Sequence, residues 1–171
     1  GISEEKVLTL YQYKTARYTF TLPFLLGALL AGAPEEELQK LDKLGTVIGI
    51  IFQTKDDEIG IYSSTQELGK PAGSDIEEGK NTLFFIRLKN QLEGENLERL
   101  NSFYGKSGLK EKDLQWFRDI LEETGVRKSV SDDNQKRAEE ATTIIESLAG
   151  SSTLAVDILN RLLEYSLTRR S

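Results

Sequence analysis

The sequence predicts an all-α fold, and three observations carry that prediction. Apolar residues recur mostly at spacings of three and four, as in Leu38, Leu41, Leu44, Ile48, Ile51, Phe52 and Ile59. Strong strand-type alternation is absent. Short breaks containing glycine or proline separate the helical stretches, as expected of a helical bundle whose neighbours are joined by short loops.

Taken in order, residues 3–32 read as helix with a kink near Pro23, and Gly32-Ala33-Pro34 ends it. Within it, Phe20 to Ala33 is apolar, short of the roughly 20 residues that span a bilayer. Basic residues precede this run, and Ala31-Gly32-Ala33 resembles a signal-peptide cleavage site. Against that, Glu4, Glu5, Lys6, Lys14 and Arg17 form a long mixed-charge lead, and Pro23 interrupts the run. The stretch therefore reads as a buried core helix, not a signal peptide or a stable membrane anchor. Residues 35–62 read as one long helix. Residues 63–79 hold Gly69, Pro71, Gly73 and Gly79 and read as a loop. Helix resumes at 80–91, 95–104, 110–124, 132–149 and 152–169, with breaks at Gly94, Gly105 to Gly108, Gly125 and Gly150. Gly150-Ser151-Ser152-Thr153 combines a helix stop with an N-cap signal. Asp132-Asp133, in a polar stretch, reads as the N-cap of the helix at 132–149. No repeat, low-complexity tract or linker divides the chain.

Composition excludes much chemistry. The 171 residues include no Cys and no His, so a Ser-His-Asp triad, a cysteine nucleophile, a disulfide and a His/Cys zinc site are all ruled out. Any metal would be a hard cation on oxygen ligands. The net charge of −6 argues against broad nucleic-acid binding, though lysines can converge locally on a small anion. The lack of Cys fits a reducing compartment, and a cytoplasmic location is expected.

The most informative segment is Leu44 to Ile61. On a helical wheel, Val47, Ile48, Ile50, Ile51, Phe52 and Ile59 cover most of the circumference. One stripe is different: Thr46, Gly49, Gln53, Asp56, Asp57 and Gly60 line a single face. A helix apolar nearly all round is buried. Adjacent carboxylates at its end repel each other unless a cation meets them, and a divalent metal is the simplest partner. The plainer alternative is a solvated helix end. The following loop places Lys70 and Lys80 around a glycine-rich turn, a pattern suited to phosphate, although it is not a P-loop motif. An ordinary basic surface loop is the alternative. Upstream, Lys14 and Tyr18 share a helix face beside Thr15, and Lys14 either snorkels or binds an anion.

The order of these features is specific. Lys14-Thr15, Phe52-Gln53 with Asp56-Asp57, Gly69-Lys70, Gly73-Ser74-Asp75 and Gly79-Lys80 together resemble the C-terminal half of the trans-type isoprenyl diphosphate synthases, the polyprenyl synthetase family. The segments YKTARYTFTLPFLLGALLAG, FQTKDDEIG and LGKPAGSDIEEGKNTL are most similar to archaeal geranylgeranyl diphosphate synthases. The resemblance covers residues 10–90 by motif and the rest by helical pattern.

It implies helices around a deep central cavity, with residues 1–171 forming the C-terminal portion of one polyprenyl synthetase domain. It implies Mg²⁺-dependent head-to-tail condensation of an allylic diphosphate with isopentenyl diphosphate, with geranylgeranyl diphosphate the favoured product. By position, Asp56 corresponds to the first aspartate of the family's second Asp-rich motif and would ligate Mg²⁺. Asp57 would support that site, through water or by holding a lysine. Lys14, Lys70 and Lys80 would contact the allylic diphosphate. Thr15 and Gln53 would stabilise the developing allylic cation or orient the diphosphate. Phe52 would meet the isopentenyl side, and Tyr18 the leaving group.

Two departures qualify the resemblance. Gly60 stands where many members carry a third aspartate in this motif. The family's first Asp-rich motif and its companion basic residues are not found among these residues, so the chain by itself is expected to be inactive. It would then work as a homodimer or in association with an N-terminal portion. The alternative is a non-catalytic diphosphate-binding or regulatory subunit of a heteromeric prenyltransferase.

Overall fold

The structure, a computed structural model, describes residues 2–63, 72–148 and 152–170. Among them there is no strand, in keeping with the all-α prediction. The elements are α1 (Glu4–Tyr11), a π-helical segment (Gln12–Thr21), α2 (Leu22–Leu30), α3 (Glu35–Tyr62) and α4 (Ser74–Glu77). They continue with α5 (Leu83–Gln91), α6 (Gly94–Phe103), α7 (Glu111–Glu123), α8 (Val126–Glu146) and α9 (Thr153–Thr168). Among the described residues no helix is long and apolar enough to cross a membrane.

Local chemistry sets most boundaries. Gly32 takes a φ of 76° just past α2, a conformation that costs glycine nothing. The Thr82 hydroxyl caps α5 by accepting from the Phe85 N–H, and Ser152 caps α9 by accepting from the Ala155 N–H. Gly125, at φ 68°, separates α7 from α8.

A π segment lies immediately before Pro23, where the sequence predicts a kink. The Leu22 N–H reaches back five residues to the Arg17 carbonyl, and the helix then runs on through Pro23 near the start of α2. Pro23 has no N–H to donate, and the change from π to α hydrogen bonding falls next to it.

The chain forms two compact units. One comprises Leu8–Lys55 with Asp133–Arg169. Its core joins Leu44, Val47, Ile48 and Ile51 of α3 to Ala138, Ala141, Ile144 and Ile145 of α8, with Phe20 and Leu163. The other comprises Gly1–Val7, Asp56–Asp132 and Arg170–Ser171. Its buried side chains include Phe84, Leu88, Leu100, Phe117 and Leu121. Arg127 of α8 lies 4.0 Å over the Tyr62 ring and bonds to Glu58 at 2.9 Å and Glu122 at 2.5 Å. These contacts tie the end of α3 to α7 and α8.

Two expectations are corrected. The run Phe20 to Ala33 is not a buried core helix: α2 buries none of its residues, and Leu30 is 82% exposed. Apolarity all round creates a demand for cover, and the described residues meet it only in part, with half-buried Phe24 packed against the core. Asp132-Asp133 is not an N-cap, since α8 begins at Val126 and both aspartates lie within it. The helix passes through this polar stretch because Val126 and Val130 are buried on its inner face. On the outside, Asp132 pairs with Lys128 at 2.5 Å and Asp133 with Lys136 at 3.6 Å. The predicted loop at 63–79 also contains the short helix α4.

Candidate active site

The first unit holds a neutral, buried contact. Thr15, on the π segment, donates its hydroxyl to Gln53 Oε1 of α3 at 2.5 Å. Both side chains are buried. The approach is permitted by glycine. A Cβ at Gly49, one turn before Gln53, would lie 2.3 Å from Ala16 Cα, and one at Gly45 would lie 2.6 Å from Thr21 Cα. Those are backbone atoms with no freedom to swing away, so the segments meet this closely only because positions 45 and 49 lack side chains.

Around this pair the π segment presents charge and aromatic surface. Lys14 and Tyr18 are exposed, Tyr18 by 76%. Arg17 is held by Asp42 at 2.7 Å. Phe52 is half-buried, with Phe20 tilted against it at 5.4 Å and the Arg169 guanidinium 3.9 Å over its ring. Arg169 escapes sequence reasoning because a basic residue near a chain end usually reads as solvated.

The second unit holds the carboxylates. Asp56 is exposed and Asp57 is buried, so adjacent residues on α3 meet different environments. Lys80 bonds to Asp75 at 2.6 Å and to Glu78 at 3.1 Å. Burial acts to lower the Lys80 pKa, but the hydrogen bonds to Asp75 and Glu78 together with their negative charges hold the ammonium above its usual value. The Tyr104 hydroxyl donates to the Lys80 carbonyl at 2.5 Å. Burial first, and then the negative charges of Asp57 and Asp75, push that phenol well above its ordinary range. Asp75 and Tyr104 were not singled out from sequence. The signal for Asp75 lay in Gly73-Ser74-Asp75, where it opens a short helix.

The predicted residues are thus divided. Lys14, Thr15, Tyr18, Phe52 and Gln53 belong to one unit, and Asp56, Asp57 and Lys80 to the other. The helix α3 carries Phe52, Gln53, Asp56 and Asp57 within two turns. Lys70 lies outside the described residues.

Among the described residues no group of three or more metal-ligating side chains converges. The donor set still suits Mg²⁺, which characteristically takes one or two carboxylates and completes its shell with water and substrate phosphate. Exposed Asp56, with Asp57 beside it, offers that kind of partial, all-oxygen set.

The chain is similar to several known proteins. The family model for polyprenyl synthetase matches residues 1–121. The geranylgeranyl diphosphate synthase of Sulfolobus acidocaldarius is 32% identical over 170 residues, covering 99% of this chain and 51% of the relative. A crystal structure of geranylgeranyl pyrophosphate synthase from Corynebacterium glutamicum, complexed with isoprenyl diphosphate and magnesium, superposes with a TM-score of 0.88. It is 28% identical, covering 100% of this chain and 48% of that one. A polyprenyl synthase from Caulobacter crescentus, complexed with calcium and isoprenyl diphosphate, gives 0.87 at 25% identity, covering 100% of this chain and 51% of that one. The chain spans about half the length of the curated relatives it matches across nearly all its residues.

Proposed function

Because the chain belongs to the polyprenyl synthetase family, we propose that it carries the diphosphate-side half of an isoprenyl diphosphate synthase site. The reaction served is head-to-tail condensation of an allylic diphosphate with isopentenyl diphosphate, with geranylgeranyl diphosphate the product by similarity. The observation that carries this reading is the buried contact from Thr15 to Gln53 of α3, the helix that carries Asp56 and Asp57 one turn further on.

The chemistry asks for a stabilised anionic leaving group and a dry surface for an allylic cation. Lys14, Lys70 and Lys80 supply positive charge to the diphosphate. Mg²⁺ held by Asp56, with Asp57 in support, adds further positive charge to that leaving group when bound. The hydroxyl of Thr15, committed as a donor to Gln53, keeps its oxygen lone pairs for positive charge. Gln53 adds an amide dipole, so stabilisation comes from neutral groups. Phe52 presents its ring on the isopentenyl side, and Tyr18 meets the leaving group. The released diphosphate takes the proton that isopentenyl diphosphate loses, so no side-chain base is needed.

Calorimetry on the 171-residue chain tests this reading. Inorganic diphosphate should bind only with Mg²⁺ present, and Asp56→Ala or Lys70→Ala should each weaken binding at least tenfold, roughly the loss of one charge-assisted contact. Metal-independent binding, or affinity unchanged in both variants, would sink the proposal.

A further inference from the structure

The glycine at position 60 has a structural counterpart in α4. A Cβ built on Gly60 would lie 2.9 Å from Oδ2 of Asp75 and 3.6 Å from its Cγ. The Asp75 carboxylate therefore rests against the bare Cα of Gly60, in space that any side chain at 60 would claim. Its other oxygen, Oδ1, accepts from Lys80 Nζ at 2.6 Å. Asp75 itself is buried. Its carboxylate is thus pinned on one side by α3 and on the other by the lysine.

The backbone around this contact is fixed as well. The Gly73 N–H donates to the Gly60 carbonyl at 3.4 Å, which docks the start of α4 on the end of α3. The Lys80 N–H donates to the Asp75 carbonyl at 3.0 Å, and the Lys80 carbonyl accepts from Tyr104. The Lys80 side chain is nevertheless 38% exposed. It is a lysine with a fixed root and a held ammonium that remains open to solvent.

We propose that Asp75 is a positioning residue for Lys80, seated by the absence of a side chain at Gly60. On this view α4 supplies the carboxylate that the family pattern carries at position 60, and uses it to hold a diphosphate-binding cation. Restoring an aspartate at 60 would then be harmful. The new carboxylate would overlap Asp75, repel it and break the Asp75–Lys80 contact, leaving Lys80 to the exposed Glu78 alone. The assignment of Lys80 to diphosphate rests on the function proposed above, whereas the coupling of positions 60, 75 and 80 does not.

The test uses the full chain and two readouts. The first is the ¹H–¹⁵N signal of the Lys80 ammonium, which is visible when hydrogen bonds slow its exchange. The second is calorimetry with inorganic diphosphate and Mg²⁺. Gly60→Asp is expected to erase the Lys80 signal and weaken diphosphate binding by about tenfold, the scale of one charge-assisted hydrogen bond. Adding Asp75→Ala to that variant should restore the signal and bring affinity back to within about threefold of the parent, as expected for two strongly coupled positions. A folded Gly60→Asp variant that keeps both readouts overturns the proposal, and so does a double variant that recovers neither. If Gly60→Asp does not fold, the near-isosteric Asp75→Asn decides: loss of signal and affinity supports the proposal, and parent-like values overturn it. If the parent itself binds no diphosphate, the functional reading fails, and the Lys80 signal alone decides the coupling by the same outcomes.

Discussion

Helices α2 and α3 are both strongly apolar in sequence, and both belong in whole or large part to the same compact unit. From Leu44 to Ile51, α3 buries Leu44, Ile48 and Ile51 completely against α8 and its neighbours. By contrast α2 buries no residue fully, half-buried Phe24 packs against the core, and Leu22, Leu26, Leu29 and Leu30 stand more than half exposed. The difference does not lie in hydrophobicity. The α3 stretch carries glycines at 45 and 49 that let the π segment close on it, and α8 brings a complementary set of Ala and Ile residues. The comparison separates two quantities that a hydrophobic run merges: the drive to be covered, and the presence of a cover.

Substitutions on the two helices can break that contrast. The largest effect is expected from Ile51→Ala, which empties a fully buried position and should cost about 2–5 kcal/mol in chemical denaturation. A cost under about 0.5 kcal/mol would place Ile51 outside a packed core. Gly49→Ala comes next. Its Cβ would meet the Ala16 backbone, and the forced separation should cost about 1–3 kcal/mol. The same change should open the Thr15–Gln53 contact, so that adding Thr15→Val costs less in the Gly49→Ala background than in the parent. Additive costs would show the contact to be independent of the glycine. The smallest effect belongs to α2: Leu26→Ser should change stability of the isolated chain by less than about 0.5 kcal/mol. A larger loss in the same melt would reveal a cover over α2.

What was legible in the sequence follows from the range of the forces involved. The sequence predicts the ends of α3 at 35 and 62 as observed, and the stop at Gly32 and the cap at Ser152 are local chemistry, whereas the Thr82 cap places the start of α5 at 83 and not at the expected 80. The start of α8 lies six residues before the predicted one, because the polar run at 131–136 imitates a helix start and its aspartates find lysine partners one turn away on either side. The exposure of α2 was missed because burial depends on elements distant in sequence. The resemblance named Thr15 and Gln53, but 38 residues separate them, and only the structure shows that one bonds the other. Similarly, Asp56 and Asp57 look equivalent in sequence and differ in burial. Asp75 was quoted as part of a motif, and its role against Gly60 required three-dimensional proximity.

The close approach at Gly45 and Gly49 also bears on how this chain can change over time. Glycine is the only residue without a Cβ, so every coding change at these two positions inserts an atom into occupied space. Most positions can drift through tolerated neighbours, as the exposed leucines of α2 can. Positions 45 and 49 have no such latitude: any side chain at either one requires the π segment to shift. Neither glycine contributes a functional group, yet each sets how closely the π segment can approach α3.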